Sequence, residues 1–154
     1  MTCERGRGWS LLGLMTRICL VSCVGQKLVH KARAADLYIS PWFKKARGYA
    51  TRCDRWYVLS AKYGLVAPDS VIEPYEVTLN KMRKMDRQSW ATRVFQALCQ
   101  ATSGSDEMIV LAGHKYREML VPLLQQRGNR ITVPMEGMRI GEQLHWLDEH
   151  SWRS

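Results

Sequence analysis

Two acidic residues stand in the most apolar loop of a basic chain. Glu73 and Glu76 flank Pro74-Tyr75, in a stretch that also carries Leu65, Val66, Val71, Ile72 and Val77. A carboxylate at the mouth of a pocket can activate water or stabilise a developing positive charge. A pair of solvated loop acids would read the same way, and only the apolar, basic surroundings argue for function. Cys23 is followed by Lys27. A thiol beside an ammonium can become a nucleophilic thiolate; the plainer reading is a cysteine packing at a strand end, in a pocket wall. His114, with Lys115 and Arg117, stands where an apolar run passes into a helical pattern. Backbone N–H groups at such a helix start bind anions, so a phosphate clamp and a simple cap are both open readings. His30 has only its basic loop to recommend it, and His145 and His150 read as surface residues of the last helix.

The elements that must position these groups alternate. Arg17 to Cys23 is an apolar strand, and Val24 to Asp36 a loop rich in Lys27, His30, Lys31 and Arg33. Ser40-Pro41 reads as N-cap and first residue of a helix whose inner stripe is Trp42, Ala46, Tyr49, Ala50 and Cys53. Trp56 to Leu59 is a second buried strand. From Ser60 to Leu79 the chain reads as a long ordered loop with no secondary structure of its own, too apolar to stay solvated. A helix over about 86–101 places Trp90, Val94 and Leu98 on one face. The strand 107–112 leads through Gly113-His114 into a helix with Tyr116, Met119, Leu120, Leu123 and Leu124 inward, stopped by Gly128-Asn129. A short strand, 130–133, and a helix over about 140–150 close the chain. This β-α-β-α-β-α-β-α order predicts a single α/β domain over 17–154, with a parallel sheet covered on both faces. In such sheets the site lies beyond the carboxyl ends of the strands, where Cys23, Lys27, Ser60 to Glu76, His114 and the 134–137 loop all fall.

The chain of 154 residues carries 23 Lys+Arg against 14 Asp+Glu, a net charge of +9. That surplus favours a polyanionic partner, most often nucleic acid. Basic residues interleave with Trp42, Tyr49, Tyr63, Tyr75 and Trp90, the mixture a nucleic-acid groove uses for backbone and bases, although several of these rings also fall on inner helix faces. P-loop, dinucleotide, nucleophile-elbow and zinc-peptidase motifs do not occur, and no cofactor is expected. Five cysteines without a C-x-x-C pair suggest neither a disulfide framework nor a structural zinc site, which fits a cytoplasmic protein. Arg5, Arg7 and the apolar run 9–15 only faintly resemble a signal peptide, so residues 1–16 read as a flexible extension. No run approaches the ~18 apolar residues of a membrane span.

The successions Ser22-Cys23 to Lys27, Asp36-Leu37-Tyr38 to Ser40-Pro41, Trp56 to Leu65 and Ile72 to Leu79 resemble a family of small, largely uncharacterised bacterial and phage domains. Ala112-Gly113, Tyr116-Arg117, Pro134 to Glu136-Gly137 and Ile140 to Leu144 fit the same pattern, in which Asp is usual where this chain has Glu76. More distantly, the Cys-x3-Lys spacing and the Tyr-acid pair are similar to the tRNA-modifying domain of archaeosine synthase, itself like the uracil-DNA glycosylase fold. The resemblance implies a three-layer α-β-α sandwich with a mostly parallel four-stranded sheet. It also implies a DNA glycosylase that flips a modified base out of duplex DNA and excises it, in defence against phage. Glu76, Glu73, Lys27 and His114 would be catalytic. Cys23, Tyr38, Ser40, Ser60, Lys62, Tyr63, Gly64, Tyr75, Lys115, Tyr116, Arg117 and Glu136 would bind substrate. The alternatives are a Cys/Lys-dependent transferase acting on a tRNA base or nucleotide, and a nucleic-acid-binding module without chemistry.

Overall fold

The structure, a computed structural model, describes residues 16–151; most of the expected N-terminal extension lies outside them. Arg17–Ser22 forms β1, an apolar run with Ile18, Cys19, Leu20 and Val21 wholly buried. Burial of consecutive residues covers both faces of the strand, which is why it lacks polar alternation. The excursion after it contains β2 (Ala32–Arg33) and one helical turn, α1 (Ala34–Leu37). Helix α2 runs over Pro41–Ala50, with the Ser40 side chain accepting from the Phe43 N–H at 3.1 Å. Its buried residues are Phe43, Ala46 and Ala50, so the expected stripe is rotated: Trp42 and Tyr49 sit half-buried at its margins.

Strand β3, Arg55–Ser60, pairs parallel with β1. The chain then turns back at Gly64 into β4 (Gly64–Val66), antiparallel to β3, and continues through β5 (Val71–Ile72), which pairs with β2. A 3-10 turn at Leu79–Lys81 precedes α3, Lys84–Ala101. Strand β6 is Glu107–Leu111; α4 (His114–Arg117) and α5 (Leu120–Arg127) follow; β7 is Arg130–Thr132; α6 is Ile140–Ser151.

The main sheet has the order β4-β3-β1-β6-β7. It is mixed and five-stranded, not the mostly parallel four-stranded sheet that was expected: β3, β1, β6 and β7 run parallel, and β4 adds an antiparallel edge. The difference arises at Gly64, whose φ of 76° is easy only without a Cβ. It turns the chain tightly enough for Leu65 and Val66 to pair back onto Leu59 and Val58. The segment after Ser60 is therefore paired strand along part of its length, where the sequence reads as continuous loop. The helix expected from His114 onward is broken in two. Pro122 would have to donate to the Glu118 carbonyl in a continuous helix, and it has no N–H; α5 starts at Leu120 and holds Pro122 in its first turn.

Helix α2 packs against β1 and α6, and α3 against β4 and α5. The core is centred on β1, β3 and β6, with Phe43, Leu79, Trp90 and Leu120 closing over them. Among the described residues no helix is long and apolar enough to cross a membrane.

Candidate functional site

Strand β1 ends at Ser22, followed by Cys23, and β6 ends at Leu111, leaving a gap beyond their carboxyl ends. The loop 76–81 and the start of α6 close the gap. The result is a cleft of about 750 Å³ whose wall includes Cys23, Lys27, Ser40, Glu76, Lys81 and Tyr116. Cys23 Sγ and Tyr116 OH lie 3.2 Å apart in a hydrogen bond at its floor. Both residues are buried, and burial is the main reason that the Tyr116 phenol is pushed well above its ordinary pKa. Ser40 contributes from the N-cap of α2, and Thr78 caps the 3-10 turn by accepting from the Asn80 N–H at 3.2 Å.

Lys27 is the link between the cleft and a buried cluster of hydroxyls behind it. Its backbone bridges Tyr38 antiparallel, and its Nζ lies 4.5 Å from the centre of the Tyr75 ring and 5.8 Å from that of Tyr38. The ammonium also donates to the Gly25 carbonyl at 3.3 Å. The rings beneath it are locked: Ser60 Oγ donates to Tyr75 OH at 2.8 Å, and Tyr75 OH and Tyr38 OH are 2.6 Å apart. Ser60 Oγ in turn accepts from the Tyr63 N–H at 3.0 Å, and the Ser60 carbonyl from Trp90 Nε1 at 2.8 Å. Burial raises the pKa of both phenols, so the cluster stays neutral and meets the Lys27 ammonium through its ring faces.

The expected site residues divide into four groups. Cys23, Lys27, Ser40, Glu76 and Tyr116 share the cleft. Tyr38, Ser60 and Tyr75 lie behind it, with Tyr63 edge-on to Tyr75 at 5.6 Å and Lys62 over the Tyr63 ring at 5.3 Å; Gly64 turns the chain there. Glu73, just after β5, lines none of the described pockets; it is exposed, as is Glu76, which does line the cleft. His114, Arg117 and Glu136 line a smaller neighbouring pocket of about 180 Å³, and Lys115 follows His114 on α4.

In that pocket Arg117 donates from Nε to the Ala112 carbonyl at 2.9 Å and pairs with Glu136 at 3.3 Å. His114 is 3.2 Å from Glu118, which also accepts from Arg87 Nε at 2.8 Å. The Arg87 hydrogen bond holds the Glu118 carboxyl below its usual range. His114 thus belongs to a network that ties α4 to α3.

The sequence assigns no role to Thr78, Asn80 or Gln143, although Thr78 and Gln143 fall within its motifs. Gln143 accepts from Trp42 Nε1 at 2.8 Å and donates to the Met138 carbonyl at 2.9 Å, pinning α6 to α2 at the cleft edge. The Ile140–Leu144 motif had marked the place but offered no role. Among the described residues no group of three His, Cys, Asp or Glu side chains gathers to hold a metal ion.

The fold and the cleft define an α/β domain with a pocket at its carboxyl strand ends. The chain belongs to the family described as "Family of unknown function (DUF6884)", which it matches over residues 18–149. It is 29% identical over 144 residues to "Uncharacterized protein YfjM" of Bacillus subtilis (strain 168), a match covering 87% of this chain and 94% of that protein.

Proposed function

We propose that the chain is a nucleic-acid base-processing enzyme, a DNA glycosylase that takes a modified base out of a duplex and cleaves its N-glycosidic bond. The cleft carries this reading: about 750 Å³ beyond the ends of β1 and β6, with Glu76, Lys27 and Lys81 among the residues of one lining. A volume of that size suits a small molecule or a single flipped nucleotide. The burial of β1 on both faces, with α2/α6 and α3/α5 as two helix pairs, accords with a three-layer sandwich of the glycosylase-like kind; this is support by analogy.

Breaking the bond between C1′ and the base nitrogen leaves positive charge on the sugar and the bonding pair on the base. Glu76 stabilises the cation and orients a water molecule. The water oxygen bonds to C1′, one water proton passes to Glu76 and from there to solvent, and the leaving nitrogen takes up a proton from solvent. Lys27, fixed over Tyr75, stabilises the charge that builds on the base. Val77, Ile140 and Trp42 give the cleft apolar surface against which a planar ring can lie. The substrate class that fits best is duplex DNA with modified bases, as in phage genomes, met in the cytoplasm. The rival role for Cys23, as a transferase nucleophile, gains little from its setting: its partner is a phenol that burial keeps protonated.

Duplexes with and without modified bases, incubated with the protein and probed for abasic sites, test the reading. Glu76→Gln should lose about a hundredfold or more of the cleavage rate, and Glu73→Gln should lose none. Full cleavage by Glu76→Gln would remove the carboxylate from the mechanism.

A further inference from the structure

The amino end of the sheet, opposite the cleft, holds a pair of thiols that base processing leaves unused. Arg17 begins β1, and Asp54 is fastened to it twice. The Arg17 N–H donates to Asp54 Oδ2 at 2.7 Å, and the Asp54 N–H to the Arg17 carbonyl at 3.1 Å. That pairing brings Cys53, one residue before Asp54, to the stretch of β1 that carries Cys19. Both are free thiols. They are in contact: the Cys19 S–H donates to the Cys53 sulfur.

The two sulfurs differ in the way a peroxide-reactive pair requires. Cys19 is wholly buried and keeps its proton, because burial, then the bond to Cys53, raises its pKa well above the ordinary thiol value. Cys53 is half-buried in the turn between α2 and β3, where a small oxidant can reach it. The Cys19 hydrogen bond lowers the Cys53 pKa; the Arg17 guanidinium helps, while partial burial and the charges of Asp54 and Glu107 oppose. A disulfide needs the sulfurs to close to about 2.05 Å. Cys53 belongs to neither α2 nor β3, so that approach draws on the turn and displaces no paired strand residue. An accessible thiolate with a resolving thiol against it is the arrangement that reversible thiol oxidation uses, and in a reducing compartment such disulfides are transient.

We propose that Cys53 and Cys19 form a reversible disulfide when the protein meets hydrogen peroxide, with Cys53 reacting first and Cys19 resolving. The Cys53 sulfur bonds to one peroxide oxygen as the O–O bond breaks, and the departing hydroxide takes a proton from solvent. The Cys19 sulfur then attacks the Cys53 sulfenic acid. The S–S bond forms, the S–O bond breaks, and the departing hydroxide leaves as water with the Cys19 proton. The two sulfurs give up two electrons, and the peroxide becomes two waters. A dithiol returns both sulfurs to thiols. The site is independent of the base-processing reading and stands or falls without it.

Trypsin cleaves after Arg17, Lys27, Arg52 and Arg55, so Cys53 falls on peptide 53–55 and Cys19 on peptide 18–27, together with Cys23. The full chain is treated with a small excess of hydrogen peroxide, remaining thiols are blocked with N-ethylmaleimide, and the unreduced digest is read by mass spectrometry. Peptides 18–27 and 53–55 should appear linked in most of the protein, with fragmentation placing the bond at Cys19, and dithiothreitol should abolish the link. In Cys19→Ser, Cys53 should stop at the sulfenic acid, trapped by dimedone. In Cys53→Ser, Cys19 should stay reduced. A bond placed at Cys23 would overturn the proposal. So would wild-type Cys53 driven to the sulfinic acid with no linked peptide, or thiols that stay reduced at peroxide levels that oxidise free cysteine in solution.

Discussion

At the scale of single residues, the structure separates two acids that the sequence could not. Glu73 and Glu76 stand on either side of Pro74-Tyr75 and read as equals, and both are exposed, but of the two only Glu76 lines the cleft. The tyrosine cluster behind Lys27 makes its own prediction. Tyr38 and Tyr75 are almost wholly buried, and burial raises both phenols above their ordinary pKa near 10. In the unfolded chain they ionise around pH 10; in the folded chain they keep their protons. Their contribution is thus complete below about pH 10 and is lost as pH rises beyond it, at up to about 1.4 kcal/mol per pH unit for each phenol. Denaturant unfolding between pH 9 and 12 should show this fall. Tyr38→Phe, less stable at neutral pH by about 1 kcal/mol for its lost hydrogen bond, should show a shallower one. An equal slope in both proteins would mean that Tyr38 ionises freely in the native state.

At the scale of elements, Gly64 decides the edge of the sheet. Its φ of 76° costs an L-residue about 1 kcal/mol, whereas a Cβ there would meet only Val94 at an ordinary 3.8 Å. Gly64→Ala should therefore lower stability by about that amount in chemical denaturation without altering the slope of the transition. A much larger loss would point to a clash rather than backbone strain. Elements that pay for themselves locally were legible: β1, β3 and β6 as apolar runs, and α2 from Ser40-Pro41. Strand β4 was not. Three residues carry too little pattern, and their pairing depends on a turn whose geometry Gly64 permits but does not announce. The break between α4 and α5 could have been read from Pro122, whose missing N–H forbids a continuous helix.

At the scale of the whole molecule, the convergence of strand ends was legible because it follows from topology alone. It brought Cys23, Lys27, Glu76 and Tyr116 to one cavity. What topology does not fix is which side of a helix start faces the cavity, and His114, Arg117 and Glu136 lie in the pocket next door. The charge of +9 sets another expectation. Duplex binding should weaken steeply with salt, by about a thousandfold between 50 and 200 mM for roughly six phosphate contacts. Affinity that ignores salt in an anisotropy titration would argue against a nucleic-acid partner.

The central claim concerns bond cleavage, and the release of free base measures it most directly. Phage genomes bearing different base modifications, incubated with the protein and passed through a size filter, should yield one modified base in the filtrate by mass spectrometry. Each released base should be matched by an alkali-labile site in the retained DNA, and Glu76→Gln should release essentially none. Filtrates empty of base from every genome, with protein bound to the DNA throughout, would contradict the account and leave a binding module in its place.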